Sequence, residues 1–452
     1  MPVIPPSNRP GQRSGYYPWL VVGVLMVLYT SSFIDRMILN LMVRPIRADL
    51  GISDTEFSHL TGFAFVIMYS IMAIPIGWAV DRWNRRNLMA LGVAGWSAMT
   101  ALCGLAETYG QLFAARVGVG IGESTLSPAA YSLISDYFRP EQLARALSIF
   151  ALGIPIGSGL ALTIGGPLVQ SLTATAAVSV PLLGQVKPWH LVFFAIGLPG
   201  FLLALLTLAI VREPERRHDT AHLPTREEGV LLKDTLRFIW RERNVYSPAF
   251  LGQAAFALFG YGAATWYPSY LERVHVLTVA EAGTLLGIST AVLGSLGFVV
   301  AGWLTDRWVS RGHADAHLRV GMLYAVGLLV CGVVGPLASV RWLAMVFVAG
   351  TALFAFTWLG SCVALVQLVT PSRMRGQVSA IYLFFINLIA LGLGPTAVAL
   401  VTDRVFHDDR QVGSALAIVA LLSIGPGLGV LQLGRRAVRG YLHAQAPRSV
   451  PA

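Results

Sequence analysis

Apolar runs long enough to cross a bilayer recur along nearly the whole chain. A spanning helix needs about 20 apolar residues, and about twelve such runs can be counted. They lie at 17–43, 57–80, 88–106, 111–135, 146–169 and 189–211, then at 247–271, 279–304, 318–338, 342–369, 377–402 and 413–434. The expected fold is an all-α polytopic membrane protein of twelve transmembrane helices. Composition agrees: 55% of the 452 residues are hydrophobic and 12% are charged, against about 25% charged in an average soluble domain. The runs leave no room for a sizeable soluble domain.

Several function classes are excluded on motifs. There is no phosphate-binding Gly-Lys-Ser loop and no His-Glu-x-x-His helix, so neither an enzyme nor an ATP-driven motor is expected. No cofactor and no metal is implied. Cys103, Cys331 and Cys362 fall inside apolar runs at no metal-ligand spacing and read as packing residues. The net charge of +10 is spread among short loops instead of gathering in one domain, which argues against nucleic acid as a partner.

Topology accounts for that charge. With a cytoplasmic N-terminus, about 24 Lys and Arg lie inside and about seven outside, as the positive-inside rule requires. Both termini are then cytoplasmic, in a plasma (inner) membrane. The expected organisation is a disordered cytoplasmic tail (1–16), a first six-helix bundle (17–212), a basic cytoplasmic linker (213–246), a second bundle (247–435) and a cytoplasmic tail (436–452).

An internal repeat supports the division. Gly77-Trp-Ala-Val-Asp-Arg-Trp-Asn-Arg-Arg86, after the second run, is echoed after the eighth by Gly302-Trp-Leu-Thr-Asp-Arg-Trp-Val-Ser-Arg311. This loop resembles the signature of the major facilitator superfamily, met here by Gly77, Asp81, Arg82, Arg85 and Arg86, with Gly302, Asp306, Arg307 and Arg311 in the second copy. The resemblance implies two pseudo-symmetric six-helix bundles with a polar site between them and transport by alternating access. The loops read as cytoplasmic gates: the glycines permit close helix approach, and the acids hold a neighbouring helix end in only one conformation.

Four ionisable residues sit well within apolar runs: Asp35 and Arg36 in the first, Arg116 and Glu123 in the fourth. A charge at the bilayer centre costs roughly 2.5–3.5 kcal/mol, so such residues face a cavity, a partner charge or both. Arg116 and Glu123 are seven residues apart and share a helix face. Asp35 and Arg36 lie about 100° apart around their helix, so one can face a cavity while the other turns to an adjacent helix. The pairings open to them are Asp35 with Arg116 and Arg36 with Glu123, a network suited to proton coupling or simply to helix packing. Gly153, Pro155 and Gly157 in the fifth run, and Gly392, Gly394 and Pro395 in the eleventh, are expected to bend their helices.

Within the superfamily, Phe33-Ile-Asp-Arg36, Arg116-Val-Gly-Val-Gly-Ile-Gly-Glu-Ser124, Ser127-Pro-Ala-Ala-Tyr-Ser132 and Ser135-Asp-Tyr-Phe138 resemble the Spinster family of sphingolipid and lysolipid transporters. That resemblance is concentrated in the first half. It implies that Asp35, Arg36, Arg116 and Glu123 handle protons and substrate. Ser127, Tyr131, Tyr261, Trp266, Phe356, Trp358, Tyr382 and Asn387 are the candidate cavity lining. A cavity polar on one wall and aromatic on the other suits an amphiphile, its head near Arg36 or Arg116. A small organic anion, a hydrophobic drug and an uncoupled lipid facilitator or scramblase remain open. The expected partners are the lipid bilayer, the small-molecule or lysolipid substrate and protons, with the protein a monomer.

Overall fold

The computed structural model describes residues 16–175, 178–180, 184–214, 232–355, 361–371 and 374–445. Among them the chain folds as twelve long helices or chains of helical segments. The first six are α1 (Tyr17–Ile38), α2 (Asp54–Thr61 and Phe63–Arg82), α3 (Arg85–Cys103), α4 (Tyr109–Glu123 and Leu126–Tyr137), α5 (Pro140–Ala151, Gly153–Thr163 and Gly165–Thr173) and α6 (Pro188–Ile210). The second six are α7 (243–273), α8 (279–310), α9 (Ala316–Leu337), α10 (Arg341–Ala355 and Ser361–Val369), α11 (375–406) and α12 (Val412–Gln445). Successive spans alternate in direction. The first and last described residues, Tyr16 and Gln445, therefore lie toward one face of the bundle, called the terminus face, and the opposite one is the distal face.

Several short elements lie outside the twelve-helix count, among them the helix Val43–Leu50 between α1 and α2. A short antiparallel hairpin pairs Val178–Val180 with Gly184–Val186 between α5 and α6. The linker contains a helix, Leu232–Arg241. The expected N-terminal tail up to residue 15, linker residues 215–231 and residues 446–452 lie outside the described residues. At the C-terminus, α12 runs ten residues into the expected tail, because Val438 is buried and Arg435 and Arg439 reach back to Asp315.

The spans break where the sequence withholds or diverts a backbone hydrogen bond. In α4 the interruption falls at Ser124 and Thr125, whose hydroxyls donate to the carbonyls of Ile121 and Gly122. In α5 a segment ends at Ala151, to whose carbonyl Pro155 has no N–H to donate. In α11 a widened turn, Leu388–Leu393, precedes Gly394 and Pro395.

Small residues let the spans approach closely. A Cβ on Gly157 would lie 2.6 Å from the Thr30 carbonyl oxygen of α1, and one on Gly120 would lie 2.5 Å from the Phe65 carbonyl oxygen of α2. Between the two groups of six, the Leu162 carbonyl of α5 would meet a Cβ on Gly283 of α8 at 2.5 Å. Backbone against backbone leaves nothing to rotate away. Gly120→Ala is expected to lower the thermal stability of the purified protein by about 1–3 kcal/mol. Gly77→Ala, where nothing lies within 4 Å of the new methyl, is expected to stay within about 0.5 kcal/mol.

Candidate functional site

Two ion pairs join α1 to α4 in the middle of the first six helices. Arg36 reaches Glu123 with Nε and Nη2, each 2.6 Å from Oε2, and Ser32 donates to the same oxygen at 2.5 Å. Arg116 donates to Asp35 at 3.0 Å, and Thr100 of α3 donates to the other Asp35 oxygen. Asp35, Arg116 and Glu123 are each at most 2% exposed. The phase expected from sequence is the one observed: Arg36 turns toward a cavity, whereas Asp35 turns to α3 and α4. Phe65 of α2 stands beside both cations, its ring centroid 4.4 Å from the Arg36 guanidinium and 5.9 Å from that of Arg116. Phe33 and Tyr69 complete an aromatic collar around Arg36, each 4.9 Å away.

The cavity lies between the two groups of six and encloses about 290 Å³. Arg36 is the one member of the buried quartet on its wall; Glu123 stands behind it. Of the expected lining, Ser127, Tyr131, Tyr261 and Asn387 are there. Phe356 and Trp358 lie outside the described residues. Trp266 and Tyr382 are corrections. Trp266 is fully buried, donating to the Pro395 carbonyl at 2.8 Å and packing edge-on against Phe57. Tyr382 is buried edge-on against Phe250. Each stands five residues from a lining residue of its own helix, Tyr261 or Asn387, and so points about 140° away. Helical phase also reveals what composition missed: Tyr29, Phe33, Arg36 and Met37 line the cavity at intervals of four, three and one residues on α1.

The distal face is sealed by contacts between the halves. Asp54 of α2 is fully buried and takes a two-pronged contact from Arg273 of α7, at 2.6 and 2.8 Å, plus Arg47 at 2.8 Å. Arg47 also reaches Asp409 at 2.7 Å. The backbone N–H and hydroxyl of Thr55 both donate to Asp403 at 2.7 Å, and Ser58 donates to Thr396 at 3.0 Å. Asp54, Asp403 and Asp409 come within 4.8 Å of one another, a cluster that Arg47, Arg273 and Thr55 already occupy. No local sequence pattern signals this seal, because its partners across the halves come from segments hundreds of residues apart, each unremarkable alone.

The family model described as "Major Facilitator Superfamily" matches residues 25–395. The chain belongs to the major facilitator superfamily. An MFS-type efflux pump of Mycolicibacterium smegmatis is 29% identical over 419 residues, 91% of each chain. A probable L-galactonate transporter of Escherichia coli is 26% identical over 459 residues, covering 96% of this chain and 94% of that one. The crystal structure of a bacterial homolog to the human lysosomal transporter Spinster, inward-facing and unoccupied, superposes with a TM-score of 0.77 at 26% identity. The match covers 97% of this chain and 100% of that one. The protein is thus a transporter of the superfamily, an integral membrane protein that moves a small solute, and its fold is similar to that of the bacterial Spinster homolog.

The superfamily loops sit at the terminus face, where the two halves leave them apart. Arg85 is 2% exposed and joins three elements, reaching Asp136 of α4 and Glu213 after α6 at 2.5 and 2.6 Å, plus the Ser132 hydroxyl at 2.8 Å. The Arg86 backbone N–H also donates to Glu213. Arg82 lies over Trp78 at 4.4 Å, and Arg307 repeats that geometry over Trp303 at 5.2 Å. Among the described residues neither Asp81 nor Asp306 makes an ion pair, Arg311 is exposed, and Gly77 and Gly302 have open space beside them. Close approach at these glycines is therefore absent from this conformation. In the second half the ionic hub is instead Asp315, bonded to Arg319 at 2.9 Å and Arg435 at 2.7 Å.

Two outcomes follow from these contacts. Asp54→Asn removes the charge that holds Arg273 and Arg47. A broken buried pair costs about 3–5 kcal/mol, so a Ser58→Cys reporter should react with a membrane-impermeant maleimide at least about tenfold faster in that background. An unchanged rate would show that the seal stands without the pair. Burial pushes the Asp315 carboxyl up, but the Arg435 hydrogen bond and the charges of Arg435 and Arg319 outweigh it and hold the group below the ordinary carboxylate value. Its contribution to stability is then complete above the unfolded value of about 3.9 and is lost as pH falls through the folded one. Asp315→Asn should lower the melting temperature at pH 7 and flatten its fall toward pH 3.

Proposed function

We propose that the protein is a secondary active transporter that carries an anionic amphiphile, of lysolipid or sphingoid type, by alternating access coupled to protons through Glu123 and Asp35. The observation that carries this reading is the placing of Arg36. It is the cation on the cavity wall, collared by Phe33, Phe65 and Tyr69 and backed by a fully buried carboxylate. An anionic headgroup is drawn to the guanidinium, while the apolar residues elsewhere in the lining, Ile154, Leu162, Leu286, Val348, Leu383 and Leu391, accommodate a hydrocarbon tail. The resemblance of the first half to the Spinster family of sphingolipid and lysolipid transporters supports the same substrate class.

Coupling follows from competition. When a headgroup takes Arg36, Glu123 is left in a nonpolar site without its counter-charge and takes up a proton. Glu123 Oε1 has no hydrogen-bond partner in the present arrangement, so it offers a vacant acceptor for that proton. Asp35, held by Arg116 and Thr100, serves as the second carboxylate of the relay. The loops around Gly77, Asp81, Arg85, Arg86, Gly302, Asp306 and Arg311 act as the gate of the opposite conformation. The breaks around Gly153, Pro155, Gly157, Gly392, Gly394 and Pro395 let α5 and α11 bend as the halves rock.

The excess of Lys and Arg in the loops of the terminus face supports a cytoplasmic side for that face, in a plasma (inner) membrane. The sealed distal face then makes this an inward-open state, and the protein works as a monomer. A second reading is a small organic anion, favoured by the hydroxyls of Ser158, Ser289, Thr290 and Thr351 on the wall and by the similarity to the L-galactonate transporter. The deciding experiment is flux of a labelled lysophospholipid into proteoliposomes under an imposed pH gradient, with L-galactonate as competitor. Gradient-driven flux is expected, reduced at least about tenfold in Glu123→Gln, as for a general acid or base whose proton transfer is lost. Equal, gradient-independent flux in both proteins would mean an uncoupled facilitator, and flux of L-galactonate alone would select the organic anion.

A further inference from the structure

The linker helix Leu232–Arg241 presents three distinct faces. Thr235, Phe238 and Ile239 turn to the protein. Thr235 is fully buried and donates to Gln377 of α11 at 2.5 Å, and Phe238 packs edge-on against Tyr246 at the start of α7. Leu232, Leu236 and Trp240 recur every four residues and remain 57%, 49% and 73% exposed. At about 100° per residue they fill one sector of about 80°. Lys233, Arg237 and Arg241 recur with the same step and fill the adjoining sector, and all three are exposed. Arg243 adds a fourth cation, its guanidinium 5.8 Å from the Trp240 ring.

This order of sectors matches a bilayer boundary. An exposed Leu-Leu-Trp stripe beside a row of cations is the composition of a helix that lies in the interface plane, its apolar side toward the acyl chains and its cations at headgroup level. The stripe is continuous with the lipid-facing surface of the bundle, since α7 starts two residues after the helix ends and exposes Leu251 nearby. Residues 232–243 carry four basic and two acidic side chains, an excess complementary to anionic phospholipid.

We propose that this helix is a docking surface for anionic phospholipid headgroups of the leaflet at the terminus face. The apolar stripe sets its depth and Lys233, Arg237 and Arg241 select the headgroup. Because Thr235 fixes the helix to α11, the bound lipid is attached to the second six helices and moves with them. The inference rests on the membrane-spanning architecture and is independent of the transported substrate.

The test uses the full-length protein in vesicles containing brominated phosphatidylglycerol or brominated phosphatidylcholine. The contribution of Trp240 is obtained by difference against Trp240→Phe. Brominated phosphatidylglycerol is expected to quench that contribution at least about twofold more than brominated phosphatidylcholine, since each basic residue near the surface attracts anionic lipid and added salt screens the effect. The triple variant Lys233→Gln/Arg237→Gln/Arg241→Gln should lose the preference, and Arg237→Lys/Arg241→Lys should keep it. Equal quenching by both lipids in the natural protein would overturn headgroup selection. Absence of Trp240 quenching by either lipid would overturn the docking surface altogether.

Discussion

The pair of ion pairs between α1 and α4 is the constraint from which the rest of the architecture follows. Four charges within the membrane are tolerable because they cancel, because Ser32 and Thr100 donate to the carboxylates, and because Phe65 separates the two guanidinium groups. Such an arrangement needs α1, α2, α3 and α4 packed to within backbone contact, which is why glycines recur where they meet. Gly120 touches the α2 backbone, and Gly122, the residue before Glu123, would place a Cβ 2.6 Å from the Trp96 nitrogen of α3. Close packing holds the charges, and the charges in turn fix the register of the packing.

The two faces use their charges in opposite ways. At the distal face, the Arg273–Asp54 and Arg47–Asp409 pairs connect one half to the other, so these bonds exist only while that face is shut. At the terminus face the buried ionic hubs are internal to each half. Arg85 binds α3 to α4 and to the end of α6, and Asp315 binds α9 to α12. Internal hubs keep each half rigid through a rocking motion, while bonds between halves are the ones a rocking motion must break. The inner faces of α5 and α8, where glycine backbones meet, offer a contact that can slide without interlocked side chains.

Much of this was legible in the sequence because membranes simplify the code. Length and hydropathy find the spans, the Gly-Trp-x-x-Asp-Arg repeat finds the two halves, and any charge within a span declares itself. The four buried charges and their pairing were readable for that reason, through helical phase alone. The same rule, not applied to aromatic residues, would have included Tyr29 and set aside Trp266 and Tyr382. Trp266 instead joins the distal seal against Phe57. The ion pairs of that seal, and Asp315, were not readable. A carboxylate in the first turn of a helix, within its capping box, as Asp54 is, looks like any helix start until the fold brings Arg273 to it.

Electroneutrality connects the site to its proposed coupling. In a medium where an uncompensated charge costs roughly 2.5–3.5 kcal/mol, an anion cannot displace Glu123 from Arg36 without leaving a net negative charge behind. Under the proposed coupling the exchange becomes affordable when Glu123 leaves the pair as a neutral acid, so that anion and proton would enter together and the quartet would keep its charge balance. Asp35 differs in one respect that matters: it has Thr100 as well as Arg116, and neither lies on the main cavity wall. In the proposed cycle, substrate in the main cavity meets Arg36 first and reaches Glu123 through it, and Asp35 responds only if that change is transmitted along α1. The adjacent positions of Asp35 and Arg36 on one helix make such transmission short, since any rotation of α1 that moves one must move the other.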